Sequence, residues 1–182
     1  MSANRDRVRQ ALDHLREGVR PFVEREMRAK IGPQWQDDAL YKLKLSLSRD
    51  NKINWDTQAL LKVIAQDYWN EVFRNSLQQV DRNYAMELRD VRNKIAHDEN
   101  FTNDDAYRAI DTAQRLLESV HAKSKADECG KLKRELQQTS LAEMKSVDSK
   151  NALAIDMATK AGLKPWREVI TPHKDVASGR YM

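Results

Sequence analysis

The sequence predicts an all-α protein: a helical bundle, a C-terminal helical extension and an irregular tail. Three features carry that expectation. Between Gln34 and Cys129 there is neither glycine nor proline, so nothing in that span interrupts a helix through backbone chemistry. Apolar residues recur at helical spacing along most of the chain. No stretch of useful length alternates apolar and polar residues as a half-buried strand does.

The elements follow in order. Val8, Leu12, Leu15, Val19, Phe22 and Val23 form one stripe, which Gly18 and Pro21 are expected to bend or restart. Gly32-Pro33 ends this first long helix. Residues 34–54 are polar, hold Leu40, Leu43, Leu45 and Leu47, and carry the weakest signal. Asp56 is expected to cap a helix bearing Leu60, Leu61, Ile64 and Tyr68, with Trp69, Val72, Phe73, Leu77 and Val80 extending or following it. Tyr84, Leu88, Val91 and Ile95 define the next helix, which ends at His97 before a loop from Asp98 to Phe101. Thr102 and Asp105 form a capping box for a helix with Ala106, Ile110, Ala113, Leu117 and Val120 inward. A later charged helix carries Leu132, Leu136 and Leu141, interrupted by Gly130. Four or more amphipathic helices on short connections pack as a bundle.

Composition narrows the classes of function. Charged residues make up 33% of the chain, which suits heavily solvated helix faces. Thirty-two Lys and Arg against 28 Asp and Glu leave a charge of +4, an excess that permits contact with nucleic acid without demanding it. The single Cys129 has no partner for a disulfide or a cysteine zinc site, and a reducing compartment is the simple reading. No run approaches the ~20 apolar residues of a membrane span. The charged N-terminus lacks a signal-peptide core, so a cytoplasmic protein is expected.

Residues 1–121 are expected to form the bundle, 122–145 the helical extension, and 146–182 a linker. Gly162, Pro165, Pro172 and Gly179 give that last segment a different composition. His14, His121 and His173 lack supporting constellations and read as surface or boundary residues. The four tryptophans (35, 55, 69 and 166) read as packing anchors, since none lies in a basic, aromatic-rich run. The run Lys131 to Glu135 reads as a solvated face, with pairing to a neighbouring helix the lesser option.

The chemically loaded stretch is Arg92-Asn93-Lys94-Ile95-Ala96-His97. Arg92 follows Leu88 by one turn and so lies at the edge of the core, its head free to reach a groove. His97 sits five residues on, which separates the two side chains by about 140° on a straight helix. They converge only if the helix ends or distorts near Ala96, or if a second chain supplies the partner. Imidazole exchanges protons near neutrality, and guanidinium grips phosphate with a planar fork. Together they suit cleavage of RNA through its own 2′-hydroxyl, with no metal or cofactor. Cations also simply suit a helix C-terminus, and spacing leaves both readings open. Arg89, one turn before Arg92, could widen an anion-binding groove or be a solvated charge, and Lys94 reads as a partner of Asp90.

The run from Glu87 to His97 resembles the signature of the HEPN superfamily (higher eukaryotes and prokaryotes nucleotide-binding domains): an Arg, four to six residues, then a His, commonly with a polar residue after the Arg. Arg92, Asn93 and His97 match it in turn. The segments 15–24, 69–73 and 104–109 are similar to the HEPN domain at the front of large bacterial ATPases, and the likeness covers roughly residues 5–121. The resemblance implies a homodimer with two motifs facing one cleft, acting as a metal-independent endoribonuclease on RNA, often in phage defence. Some members are instead catalytically silent modules that dimerise and bind RNA or a partner. By this resemblance Arg92, His97 and Asn93 are the candidate catalytic residues and Arg89 a candidate substrate contact. Glu99 stands where a nucleotidylated subset of toxins has Tyr, so that regulation is not implied. Residues 162–181 look like the segment entering the ATPase of those large proteins. No phosphate-binding loop occurs in this chain, so the ATPase is expected to be a missing C-terminal domain.

Overall fold

Long apolar stripes bury themselves by packing helix on helix. A computed structural model describes residues 3–43, 47 and 53–160, with side chains beyond 150 described only at Leu153. The helices are α1 (Ala3–Ile31), α2 (Trp35–Leu43), α3 (Thr57–Lys62), α4 (Gln79–Ala96), α5 (Asn103–Ser119) and α6 (Lys123–Lys160). The described residues contain no sheet, only an isolated antiparallel bridge between Leu47 and Ile53. The expected Trp166 and His173 readings, and the tail from residue 161, lie outside the described residues.

Helix α1 runs unbroken through Gly18 and Pro21, so the helix does not restart there. Pro21 is exposed, so the carbonyl of Glu17 that it cannot serve is left to water. Gly18 is explained by packing. A Cβ there would lie 2.4 Å from Leu117 Cδ2 and 3.0 Å from Ala122 Cβ, so the missing side chain lets α5 and the turn after it close on α1. Gly32 ends the helix at φ 93°, a conformation that costs glycine little.

The segment after α1 holds what periodicity does not reveal. Trp35 of α2 stacks on Trp55, with ring centroids 6.5 Å apart and planes inclined by 6°. The buried Tyr68 donates its hydroxyl to Asp38 at 2.7 Å, and that bond holds the Asp38 carboxyl below its ordinary range against the opposing cost of burial. After Lys62 the chain widens into a π-helical turn, Val63–Asp67. Arg82 of α4 donates from Nε to the Ala65 carbonyl at 2.8 Å and lies over the Trp69 ring. A distant side chain thus serves a carbonyl of the widened turn.

Both expected caps form. Asp56 Oδ1 accepts from the Ala59 N–H at 2.7 Å, and Thr102 and Asp105 exchange bonds as a capping box. The expected inward residues of α5 are buried. Gly130 does not interrupt α6, which continues past residue 146, so the first turns of the expected linker are helical. Ala126, Cys129, Leu132 and Leu136 are buried, and the first compact unit extends to Gln138. Burial pushes the Cys129 thiol up to about 12, away from any reactive thiolate. Lys133 turns inward from the charged run to bond Asp111 of α5 at 2.7 Å. A second unit begins at Thr139.

The two helical glycines separate packing from propensity. Gly18→Ala is expected to cost about 1–3 kcal/mol, because the buried Leu117 and the short Ala122 leave the methyl no room. At Gly130 a Cβ would meet only ordinary contacts, 3.6 Å from Arg134, so Gly130→Ala should stabilise by about 0.5–1 kcal/mol. Urea unfolding of the two variants checks the opposite signs.

Candidate active site

The motif occupies the last turn of α4, and the way that helix ends decides where its side chains stand. Ile95 is partly buried against the core, while Ala96, His97, Asp98 and Glu99 are exposed. His97 is the C-cap and has left helical geometry, at φ −95° and ψ 14°. Asp98 follows in the left-handed region at φ 58°. Its N–H donates to the Ile95 carbonyl at 3.3 Å, and the Glu99 N–H donates to the Lys94 carbonyl at 3.0 Å. This pair of bonds is the Schellman arrangement, with Asp where glycine is usual.

Arg92 lies on the core side of α4, one turn after the fully buried Leu88. It is half-buried, and its Nη2 lies 3.9 Å from Asp56 Oδ2. Asp56 therefore divides its carboxylate between the N-terminus of α3 and Arg92. Arg89 is also half-buried, and its Nε is enclosed without a hydrogen-bond partner among the described residues. Asn93 is half-buried, and its carbonyl accepts the His97 N–H at 3.0 Å. The His97 imidazole is exposed, with no side-chain hydrogen bond among the described residues. No bond joins the side chains of Arg92, Asn93 and His97, so one chain carries them on a common turn without assembling them into a contacting cluster. Lys94 forms no ion pair with Asp90, and its charge acts instead on Asp105, whose carboxyl lies below its ordinary range chiefly through the Thr102 bonds.

The first turn of α1 closes over this helix end. Arg5 donates from Nη2 to the Ile95 carbonyl at 3.3 Å and forms an ion pair with Asp98. Asn4 bonds the Phe101 carbonyl at 3.2 Å and Asn103 Oδ1 at 2.7 Å. These contacts have no signature in sequence, because about ninety residues separate the partners. The Asp56 cap is legible from sequence, but its approach to Arg92 is not. The groove between α4 and α5 is lined by Glu87, Asp90, Lys94, Asp105 and Arg108, a mixed set of charges with no cationic excess for a polyanion. Among the described residues no three His, Cys, Asp or Glu side chains are grouped as metal ligands would be. No helix among them is long and apolar enough to cross a membrane.

A protein-family model described as Swt1-like HEPN matches residues 10–121, the span that holds α4 and the motif. No curated protein and no solved structure matches the chain.

The two roles of Asp56 can be separated. Asp56→Ala should cost about 0.5–2 kcal/mol through the lost cap, whereas Asp56→Asn should cost less than about 0.5 kcal/mol because Asn caps comparably and an exposed ion pair contributes little. Equal losses in thermal unfolding would assign the stability to Arg92 pairing instead.

Proposed function

Because the chain belongs to the Swt1-like HEPN family, we propose that it is a metal-independent endoribonuclease module working as a homodimer, with two motifs across one cleft. One observation carries this reading. The His97 imidazole stands exposed and unpartnered at the end of α4, on the same helix end as a half-exposed arginine. A single imidazole supplies one proton-transfer group, and cleavage requires two.

In this mechanism one His97 takes the proton from a 2′-hydroxyl, and O2′ attacks the adjacent phosphorus. The P–O5′ bond breaks as the P–O2′ bond forms. The second copy's His97 gives its proton to the departing O5′, leaving a 2′,3′-cyclic phosphate and a 5′-hydroxyl. Arg92 would grip the non-bridging oxygens with its planar fork. Asn93 would orient either partner, and Arg89, one turn before Arg92, would add positive charge toward the substrate. The likeness of residues 162–181 to the approach to an ATPase supports a place at the front of a phage-defence ATPase.

A catalytically silent dimerisation and RNA- or partner-binding module is the second reading. Asp98 and Glu99 favour it, since they set acid beside His97 where a polyanion would pass.

Mixed RNAs should be cleaved in EDTA to 2′,3′-cyclic phosphate ends, while DNA survives for want of the 2′-hydroxyl. His97→Ala should lower the rate by about 10²–10⁴-fold while sparing most RNA binding. Arg92→Ala should weaken both, and Arg92→Lys should rescue poorly because an ammonium lacks the fork. Asn93→Ala should fall between these. Wild-type protein that binds RNA and never cuts it would decide for the silent module. Active protein sedimenting as a strict monomer would remove the paired site.

A further inference from the structure

Arg5 grips the chain on both sides of His97. Its guanidinium bonds the carbonyl of Ile95, two residues before the histidine, and the carboxylate of Asp98, one residue after it. The side chain is 15% exposed although it sits in the first turn of α1, and its Nε is enclosed. The residue it holds, Asp98, occupies the left-handed region, which costs a non-glycine residue about 1 kcal/mol. That turn sets the direction in which His97 leaves α4. Without an anchor, the last turn of an exposed helix frays and takes its cap residue with it. Asn4 ties down the rest of the same loop at Phe101 and Asn103.

We propose that Arg5 is a positioning residue for His97: it fixes the turn that carries the imidazole and balances the Asp98 carboxylate next to it. The proposal rests on the ribonuclease reading for its kinetic consequence, and on geometry alone for its structural one. Arg5 lies outside residues 10–121, so the anchor comes from a part of the chain that the family match does not include. The charges around the turn divide accordingly. Asp98 is paired with Arg5, Glu99 is exposed one residue on, and Lys94 lies one turn before. Losing Arg5 leaves the Asp98 carboxylate unpaired beside the histidine and frees the histidine to wander.

The test uses the full chain and compares wild type, Arg5→Ala, Arg5→Lys, Asp98→Gly and the Arg5→Ala/Asp98→Gly double variant, well below their melting temperatures. Hydrogen exchange of the Asp98 and Glu99 amides should quicken by about tenfold or more in Arg5→Ala, with amides of central α5 unchanged. In RNA cleavage, Arg5→Ala should lower kcat by about tenfold or more while KM stays within about threefold. Arg5→Lys should restore only part, because an ammonium cannot serve carbonyl and carboxylate with one rigid fork. Glycine takes the left-handed turn without strain, so Arg5→Ala should cost less kcat in the Asp98→Gly background than in wild type. Unchanged exchange in Arg5→Ala would overturn the proposal whatever the activity. Quickened exchange with unchanged kcat would leave Arg5 a purely structural anchor and overturn its positioning role. If wild type cleaves no RNA, the ribonuclease reading fails, and exchange alone decides whether Arg5 holds the histidine turn.

Discussion

Helix α1 packs extensively on α5, and that approach depends on Gly18. With no side chain at that position, Leu117 and Ala122 come close enough that even one methyl group would collide. Interiors packed to this density leave no slack, so the crossing fixes where α1 lies along its whole length. One consequence appears at each end of that helix. Toward the C-terminus, Phe22, Val23 and Met27 are buried before the Gly32 turn sends the chain into α2. Toward the N-terminus, Asn4 and Arg5 arrive beside the end of α4 and the loop that follows it.

An unbroken α1 matters for the same reason. A restart at Pro21 would uncouple the two halves of the helix, and a close approach at Gly18 could not then set where Phe22, Val23 and Met27 pack. The proline is accommodated because it faces solvent, where the unserved carbonyl costs little. Ion pairs link α6 to both neighbours, Lys125 to Glu17 of α1 and Lys133 to Asp111 of α5. The largest effect on Asp111 is burial, which opposes ionisation, yet bonds from Lys133 and Arg115 hold its carboxyl below the ordinary range. These contacts orient α6, while Ala126, Cys129, Leu132 and Leu136 supply the buried apolar surface that attaches it.

The motif illustrates how a helix end becomes chemically useful. The core face holds Leu88 and part of Ile95, and the helix then stops while its last side chains are in solvent. Arg92 remains near enough to the core to be steered by Asp56, whereas His97 is already outside. The two therefore differ in burial and surroundings although only five positions separate them. A guanidinium that must present a fork benefits from being oriented, and an imidazole that must trade protons benefits from being reachable.

The helical stripes of α1, α4 and α5, the caps at Asp56 and Thr102, the stop at Gly32 and the loop after His97 are all decided by local chemistry, and the sequence alone determined them. The Arg92, Asn93 and His97 pattern was legible for the same reason, being confined to the end of one helix. Tertiary packing decided the rest. Gly18 and Pro21 look alike as helix breakers, and only the neighbours of each reveal that one permits a crossing and the other faces water. The π-helical turn after Lys62 pairs with Arg82, which belongs to a later helix. Arg5 reads as one more charge in a charged N-terminus until α1 and α5 pack. Only then does its guanidinium lie against the Ile95 carbonyl and Asp98, because a contact across ninety residues is created by the fold and not by any neighbour in sequence.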